Sequence, residues 1–165
     1  MPTLTYPSPL TPAPPQIRLD VPDGWEQLEV PQALLAAREA EVASGQFASN
    51  VTVQHVARPA SLTETDLLEE VREYVGGKDH GAVGDTFART VNGTEVHGVA
   101  LSYVDPTAGP LGQVHAFARH VDGPRASVVQ VIVTFSGDES VALLPAIRAI
   151  VDSLQISWPM PGALV

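Results

Sequence analysis

Between Val83 and Phe135 the chain alternates in polarity and breaks only at turn-forming residues. No other feature limits its folding choices as much. Four stretches, Val83–Thr90, Glu95–Val104, Gln113–Val121 and Ala126–Phe135, carry the two-residue period of β-strands. Asn92-Gly93 joins the first two, and both residues tolerate the positive φ of a two-residue hairpin. Asp105–Gly112 supplies two prolines and two glycines to the next connection, and Asp122-Gly123-Pro124 a tight turn to the last. Connections this short hold sequential strands antiparallel.

The flanks add helices and further strands. Asn50–Arg58 reads as a strand with Val51 and Val53 on one side and Thr52 and Gln54 on the other, ended by Pro59-Ala60-Ser61. Ser61-Leu62-Thr63-Glu64 has the capping-box pattern. Leu67, Leu68, Val71, Tyr74 and Val75 then recur at helical spacing until Gly76-Gly77. A second helix is expected after Ser136-Gly137-Asp138, with Val141, Leu144, Ile147, Ile150, Val151 and Leu154 as its apolar stripe. Pro145 suits only a first turn, so the regular helix is expected to begin near it and the chain to exit through Gln155-Ile156-Ser157. Upstream, Ile17, Leu19 and Val21 alternate as in a strand, and Trp25 after Pro22-Asp23-Gly24 reads as a core anchor. Residues 33–43 are helical by propensity but short, and their residues alone leave helix or strand open. The expected class is α+β, an antiparallel sheet of about six to seven strands packed with two main helices. Residues 16–157 form one domain on this reading. Met1–Pro15, holding six of the 15 prolines, and residues 158–165 are expected to be tails. The first tail reads as a disordered leader or as a docking strip for a proline-recognising partner.

Four segments, in order, carry a resemblance. They are Leu19-Asp20-Val21-Pro22-Asp23-Gly24-Trp25, Phe47-Ala48-Ser49-Asn50-Val51, Val91-Asn92-Gly93-Thr94, and Ile150-Val151-Asp152-Ser153-Leu154, with the strand meander between the last two. Together they resemble the PsbP-like family. Among its members the chain looks most similar to the bacterial LpqN/LpqT and DcrB branch and to the Eag-type secretion chaperones. The resemblance implies an α/β/α sandwich in which Leu34–Glu39 is a strand paired to the Asn50 segment. It also implies partner binding rather than catalysis, and the Eag-type group is associated with shielding apolar effector segments on a sheet surface. LpqN-like lipoproteins carry a leader and an acylated cysteine, and this sequence shows neither. As it stands the chain is therefore expected in the cytoplasm. The alternative, if a leader has been removed, is the cell envelope.

Composition narrows the chemistry. Nine Lys and Arg stand against 19 Asp and Glu, a formal charge of −10, which disfavours nucleic acid and anionic lipid as partners. Lacking cysteine, the chain has no disulfide, thiolate ligand or thiol nucleophile, and Lys78 is its only lysine. No apolar run reaches the roughly 20 residues of a membrane span. Ser102 and His115 are the nearest thing to a nucleophile and base, but no Gly-x-Ser-x-Gly elbow accompanies them. His97, His115 and His120 fall on neighbouring strands, yet His115 and His120 have opposite parity and cannot share a metal. Gly76-Gly77-Lys78 ends a helix, where the dipole repels phosphate. Glu39, Glu41, Glu69 and Glu70 sit where charge normally faces water, and Glu95 on a strand has no evident cleft. The expectation is no enzyme, no cofactor and no metal site.

A surface remains. Val129, Val131, Val133 and Phe135 form a wholly apolar strand face, expected to lie under the helices. The opposite face mixes Gln54, Gln113, His115, Phe117, Gln130 and Ile132. It is either solvated sheet or the docking site for a protein partner with apolar segments. On the second reading the chain is an accessory or chaperone-like factor in secretion or envelope function. The alternatives are an envelope domain binding lipid or a cell-wall precursor, and a small hydrolase or metal-dependent enzyme. A homodimer is one way to protect the sheet edges.

Overall fold

A computed structural model describes residues 1–160. In chain order the elements are β1 (Gln16–Arg18), β2 (Trp25–Gln27), β3 (Leu35–Glu39), β4 (Asn50–Pro59), α1 (Glu64–Gly76), β5 (Asp79–Val91), β6 (Thr94–Asp105), β7 (Gly109–Asp122), β8 (Arg125–Ser136), a 3-10 turn (Gly137–Glu139), α2 (Ser140–Asp152) and β9 (Gln155–Ser157). Seven strands form one antiparallel sheet in the order β2-β3-β4-β8-β7-β6-β5. β1 and β9 pair separately as a two-stranded ribbon, so the exit segment at Ile156 is a strand opposite Ile17.

The meander forms as its turns dictate. Asn92 (φ 47) and Gly93 (φ 80) make the hairpin between β5 and β6. The Asn92 carboxamide also donates to the carbonyl oxygens of Asp152 (3.3 Å) and Leu154 (2.9 Å), closing the end of α2. The connection read as Asp105–Gly112 shrinks to a tight turn, because β7 already pairs Gly109 with Asp105 and Pro110 with Val104. Leu35–Glu39 is a strand, registered Leu35 on Val53 and Ala37 on Val51. Burial of Ala36 and Ala37 together with the backbone ladder outweighs the helical propensity of that stretch.

The helices lie on opposite faces, not both on the apolar one. α2 packs Ile147, Ile150, Val151 and Leu154 on the face of Val51, Val53, Val129, Val131 and Val133. α1 lays Leu67, Val71 and Val75 on the other, against Val99, Leu101, Phe117 and Val128. Register explains this. Val99, Leu101, Tyr103 and Leu111 are aligned with His115 and Gln113 on the mixed face, so one half of that face is as apolar as the core.

Two helix starts differ from the sequence reading. The N-cap of α1 is Thr63, in a reciprocal capping box with Asp66, and Glu64 is the first helical residue. The box thus sits two residues beyond Ser61, because aspartate closes it as glutamate would. α2 begins at Ser140, with Pro145 inside it. Val141 (80 % exposed) and Leu144 (53 %) drop out of the apolar stripe. That first turn is open to water, which can serve the carbonyl Pro145 leaves without a donor. Trp25 is half-buried against the α2-side core. So is Trp158, which stacks on His120 at 5.1 Å, and the remainder of the expected C-terminal tail, 161–165, lies outside the described residues.

Candidate functional site

α1 spans β5, β6 and β7 but stops short of β4, so part of the mixed face beside β8 is left without a helix over it. A cavity of about 320 Å³ occupies this step. Val56, Leu67, Val71, Phe117, Val128 and Ile132 form its apolar walls, and Gln113, His115 and Gln130 its polar floor. Arg58, Glu70 and Tyr74 complete the lining. Val56 (44 % exposed) and Tyr74 (42 %) are its open rim.

The floor is a continuous hydrogen-bond chain. Gln113 Nε2 donates to Thr134 Oγ1 (3.0 Å), and Gln113 Oε1 accepts from His115 Nε2 (2.9 Å). Gln130 Nε2 lies 3.0 Å from His115 Nδ1. An amide nitrogen can only donate, so Nδ1 accepts and the imidazole proton sits on Nε2. Burial pushes the His115 pKa down to about 4, which keeps the ring neutral at neutral pH. Cross-strand register builds the chain: His115 faces Ile132, Gln113 faces Thr134 and Phe117 faces Gln130.

The charged members cancel. Arg58 donates to both carboxylate oxygens of Glu70, tying β4 to α1 across the cavity. A second tie joins Arg119 to Glu64 (3.5 Å), with Arg119 also donating to the Ala60 carbonyl oxygen (2.6 Å). Tyr74 meets Tyr103 edge-on at 6.4 Å and the His115 ring at 6.1 Å, and Lys78 lies 4.7 Å above Tyr74. Burial, and then the neighbouring Tyr74 hydroxyl, raises the Tyr103 pKa to about 12. Within the lining the Arg58 guanidinium and the Glu70 carboxylate offset each other, so the cavity carries no net charge.

Five of the six residues singled out in the sequence meet here. Gln113, His115 and Phe117 are buried at its base, however, because α1 covers the half of the face they occupy. They can shape a site but not offer open surface. Gln130 and Ile132 are half-buried in the lining. Gln54 pairs with Gln130 on β4 and is exposed beside the cavity, not in it. The sequence reading missed the contribution of α1. Periodicity places Leu67, Val71 and Tyr74 on one helix face without showing that this face borders a cavity; the Arg58–Glu70 pair between β4 and α1 marks that border in the structure.

Other constellations resolve plainly. Ser102 pairs with Gly112 and His115 with Val99, so the serine and the histidine point to opposite faces. His55 contacts Ser127 at 3.1 Å, but Ser127 is only 7 % exposed and no carboxylate hydrogen-bonds to His55 among the described residues. No cluster of three or more histidines and carboxylates that could hold a metal occurs among them, and no helix is long and apolar enough to cross a membrane.

No family model matches the sequence, and no curated protein matches it. Solved structures do. LpqN of Mycobacterium tuberculosis, described as involved in cell envelope biogenesis, is 18% identical with a TM-score of 0.71, covering 92% of this chain and 87% of its own. Cyanobacterial PsbP from Synechocystis is 13% identical, TM-score 0.57, over 94% and 98%. The Ran-binding protein Mog1p of Saccharomyces cerevisiae is 14% identical, TM-score 0.54, over 85% and 89%. At such identities the likeness concerns architecture: this chain has the PsbP-like α+β fold that LpqN and Mog1p share.

Proposed function

We propose that this chain is a non-enzymatic binding module, an accessory or chaperone-like factor in protein secretion or cell-envelope function. It seats an apolar segment of a protein partner in the cavity beside α1. The observation that carries this is the cavity itself, with apolar walls, no net charge, an exposed Val56 rim and a neutral polar floor. At about 320 Å³ it lies at the small end of ligand sites, suited to one or two partner side chains. Gln130, with one N–H engaged by His115, keeps its carbonyl and second N–H for a partner's peptide group. Gln54 and Ile132 extend the surface across β4 and β8. The fold shared with Ran-binding Mog1p supports protein recognition. The fold shared with LpqN favours a second reading, an envelope domain binding lipid or a cell-wall precursor in the same cavity.

A photo-crosslinking residue at Gln54 tests the proposal in cells expressing the chain. The expected result is a discrete protein adduct that is absent with the crosslinker at Val141, on the opposite helix, and lost on Ile132→Glu. Equal labelling from both positions, or none, contradicts it. A lipid adduct instead favours the second reading.

A further inference from the structure

Every charged side chain of the protein follows Gln16. The segment Met1–Pro15 carries none, is rich in proline and exposes Leu4, Tyr6 and Leu10. It is therefore an uncharged apolar segment of the kind proposed to fill the cavity beside α1. In the structure it is folded back between Ser8 and Thr11, whose backbones exchange two hydrogen bonds of 3.0 Å, and none of its residues lines the cavity. Proline at positions 7, 9, 12, 14 and 15 limits the conformations it would lose on docking.

The segment is rooted near the cavity, on the other face of the sheet. Gln16 pairs with Ser157, and the next residue, Trp158, stacks on His120 of β7. His120 is opposite Ser127, and Ser127 is opposite Ala57, which stands between Val56 and Arg58 of the cavity lining. Root and rim thus share one end of the sheet. The path from His120 round the β7–β8 turn and back to Val56 is about 35 Å, at about 3.4 Å per strand residue and about 10 Å between faces. Once the Ser8–Thr11 turn opens, a chain rising about 3.1 Å per residue carries Tyr6 about 31 Å and Leu4 about 37 Å from Gln16. Leu10, at about 19 Å, falls short.

We propose that Leu4 and Tyr6 dock in the cavity of their own chain, so that a partner segment has to displace them. This rests on the reading of the cavity as a seat for apolar segments and adds a regulator to it. Leu4 meets the apolar walls at Val56, Val71 and Ile132, and the backbone beside it uses the free carbonyl and N–H of Gln130. The structure shows the open form. Closing buries two exposed apolar side chains and asks no charge to leave water, which separates this segment from the acidic remainder of the chain.

The absence of native cysteine makes the test direct. Thr5→Cys, carrying a nitroxide on the full 15N-labelled chain, is expected to broaden the backbone amides of Val56 and Ile132 and to spare Val141 and Leu144. The broadening is expected to persist on dilution, to vanish when Leu4→Asp and Tyr6→Asp are added, and to survive Leu10→Asp. Without the label, the Leu4→Asp, Tyr6→Asp chain is expected to bind a capped, uncharged heptapeptide of leucine, alanine and phenylalanine at least about threefold more tightly than the parent, the factor for a site closed two-thirds of the time. No broadening at Val56 and Ile132, broadening that fades on dilution or survives the two aspartates, or equal peptide affinity overturns the proposal and leaves the cavity reading standing. Peptide binding to neither chain overturns that reading, and the proposal with it.

Discussion

The Gln130 carboxamide donates to Nδ1 of His115 across the β7–β8 pair at 3.0 Å, which sets the tautomer of the one histidine at the base of the cavity. A neutral His115 is then a condition of the fold, and this has a measurable pH signature. The folded pKa of about 4 lies below the unfolded 6.5. Above pH 6.5 both states hold a neutral ring and the stability is complete. As pH falls from 6.5 to 4 the unfolded chain takes up a proton that the folded one refuses, and stability is lost by up to about 3 kcal/mol. Denaturant midpoints measured at pH 7.5, 5.5 and 4.5 check this, with His115→Gln flattening the dependence in that window.

Thr63 caps α1, and α1 forms one wall of the cavity. Thr63→Ala removes the side-chain acceptor for the Asp66 N–H and is expected to cost about 1 kcal/mol. Thr63→Ser keeps the acceptor and is expected to lie within a few tenths of the parent, read by urea denaturation.

Asn92 serves two needs, positive φ in the hairpin and donation to the end of α2. Asn92→Gly retains only the first and is expected to lose about 1 kcal/mol. Asn92→Ala loses both and is expected to lose about 2 kcal/mol. The order Asn, Gly, Ala in thermal midpoint is the check, and equal losses for the two variants contradict the double role.

Gly112 is a packing residue. A Cβ there would come within 2.3 Å of the Phe135 ring, so Gly112→Ala is expected to cost about 1–3 kcal/mol. A smaller side chain at Phe135 is expected to relieve part of that. In a double-mutant cycle, Gly112→Ala with Phe135→Leu is expected to lose less than the sum of the single losses.

Turn chemistry and strand alternation made the meander legible, because Asn92-Gly93 and Asp122-Gly123-Pro124 leave the backbone few alternatives. Leu35–Glu39 was not legible from its own residues, since its ladder to Val51 and Val53 supplies what propensity opposes. The two faces of β8 were read correctly residue by residue, but which helix covers which face depends on β6. Its Val99, Leu101 and Tyr103 give α1 an apolar landing on the mixed side. For the same reason alternation groups Gln113, His115 and Phe117 on one face but does not show that α1 covers them. Alternation tells which side a residue is on, not whether a helix lies above it.

The proposed function is that the cavity beside α1 receives an apolar partner segment. Its most direct test is a titration of the 15N-labelled chain with a capped, uncharged heptapeptide of leucine, alanine and phenylalanine, followed by NMR. Saturable shifts are expected at the Gln130 side-chain amide and at the backbone amides of Val56, Val71 and Ile132, with Val141 and Leu144 unmoved. Saturable shifts confined to α2, or none at Gln130 while the peptide binds, would contradict it.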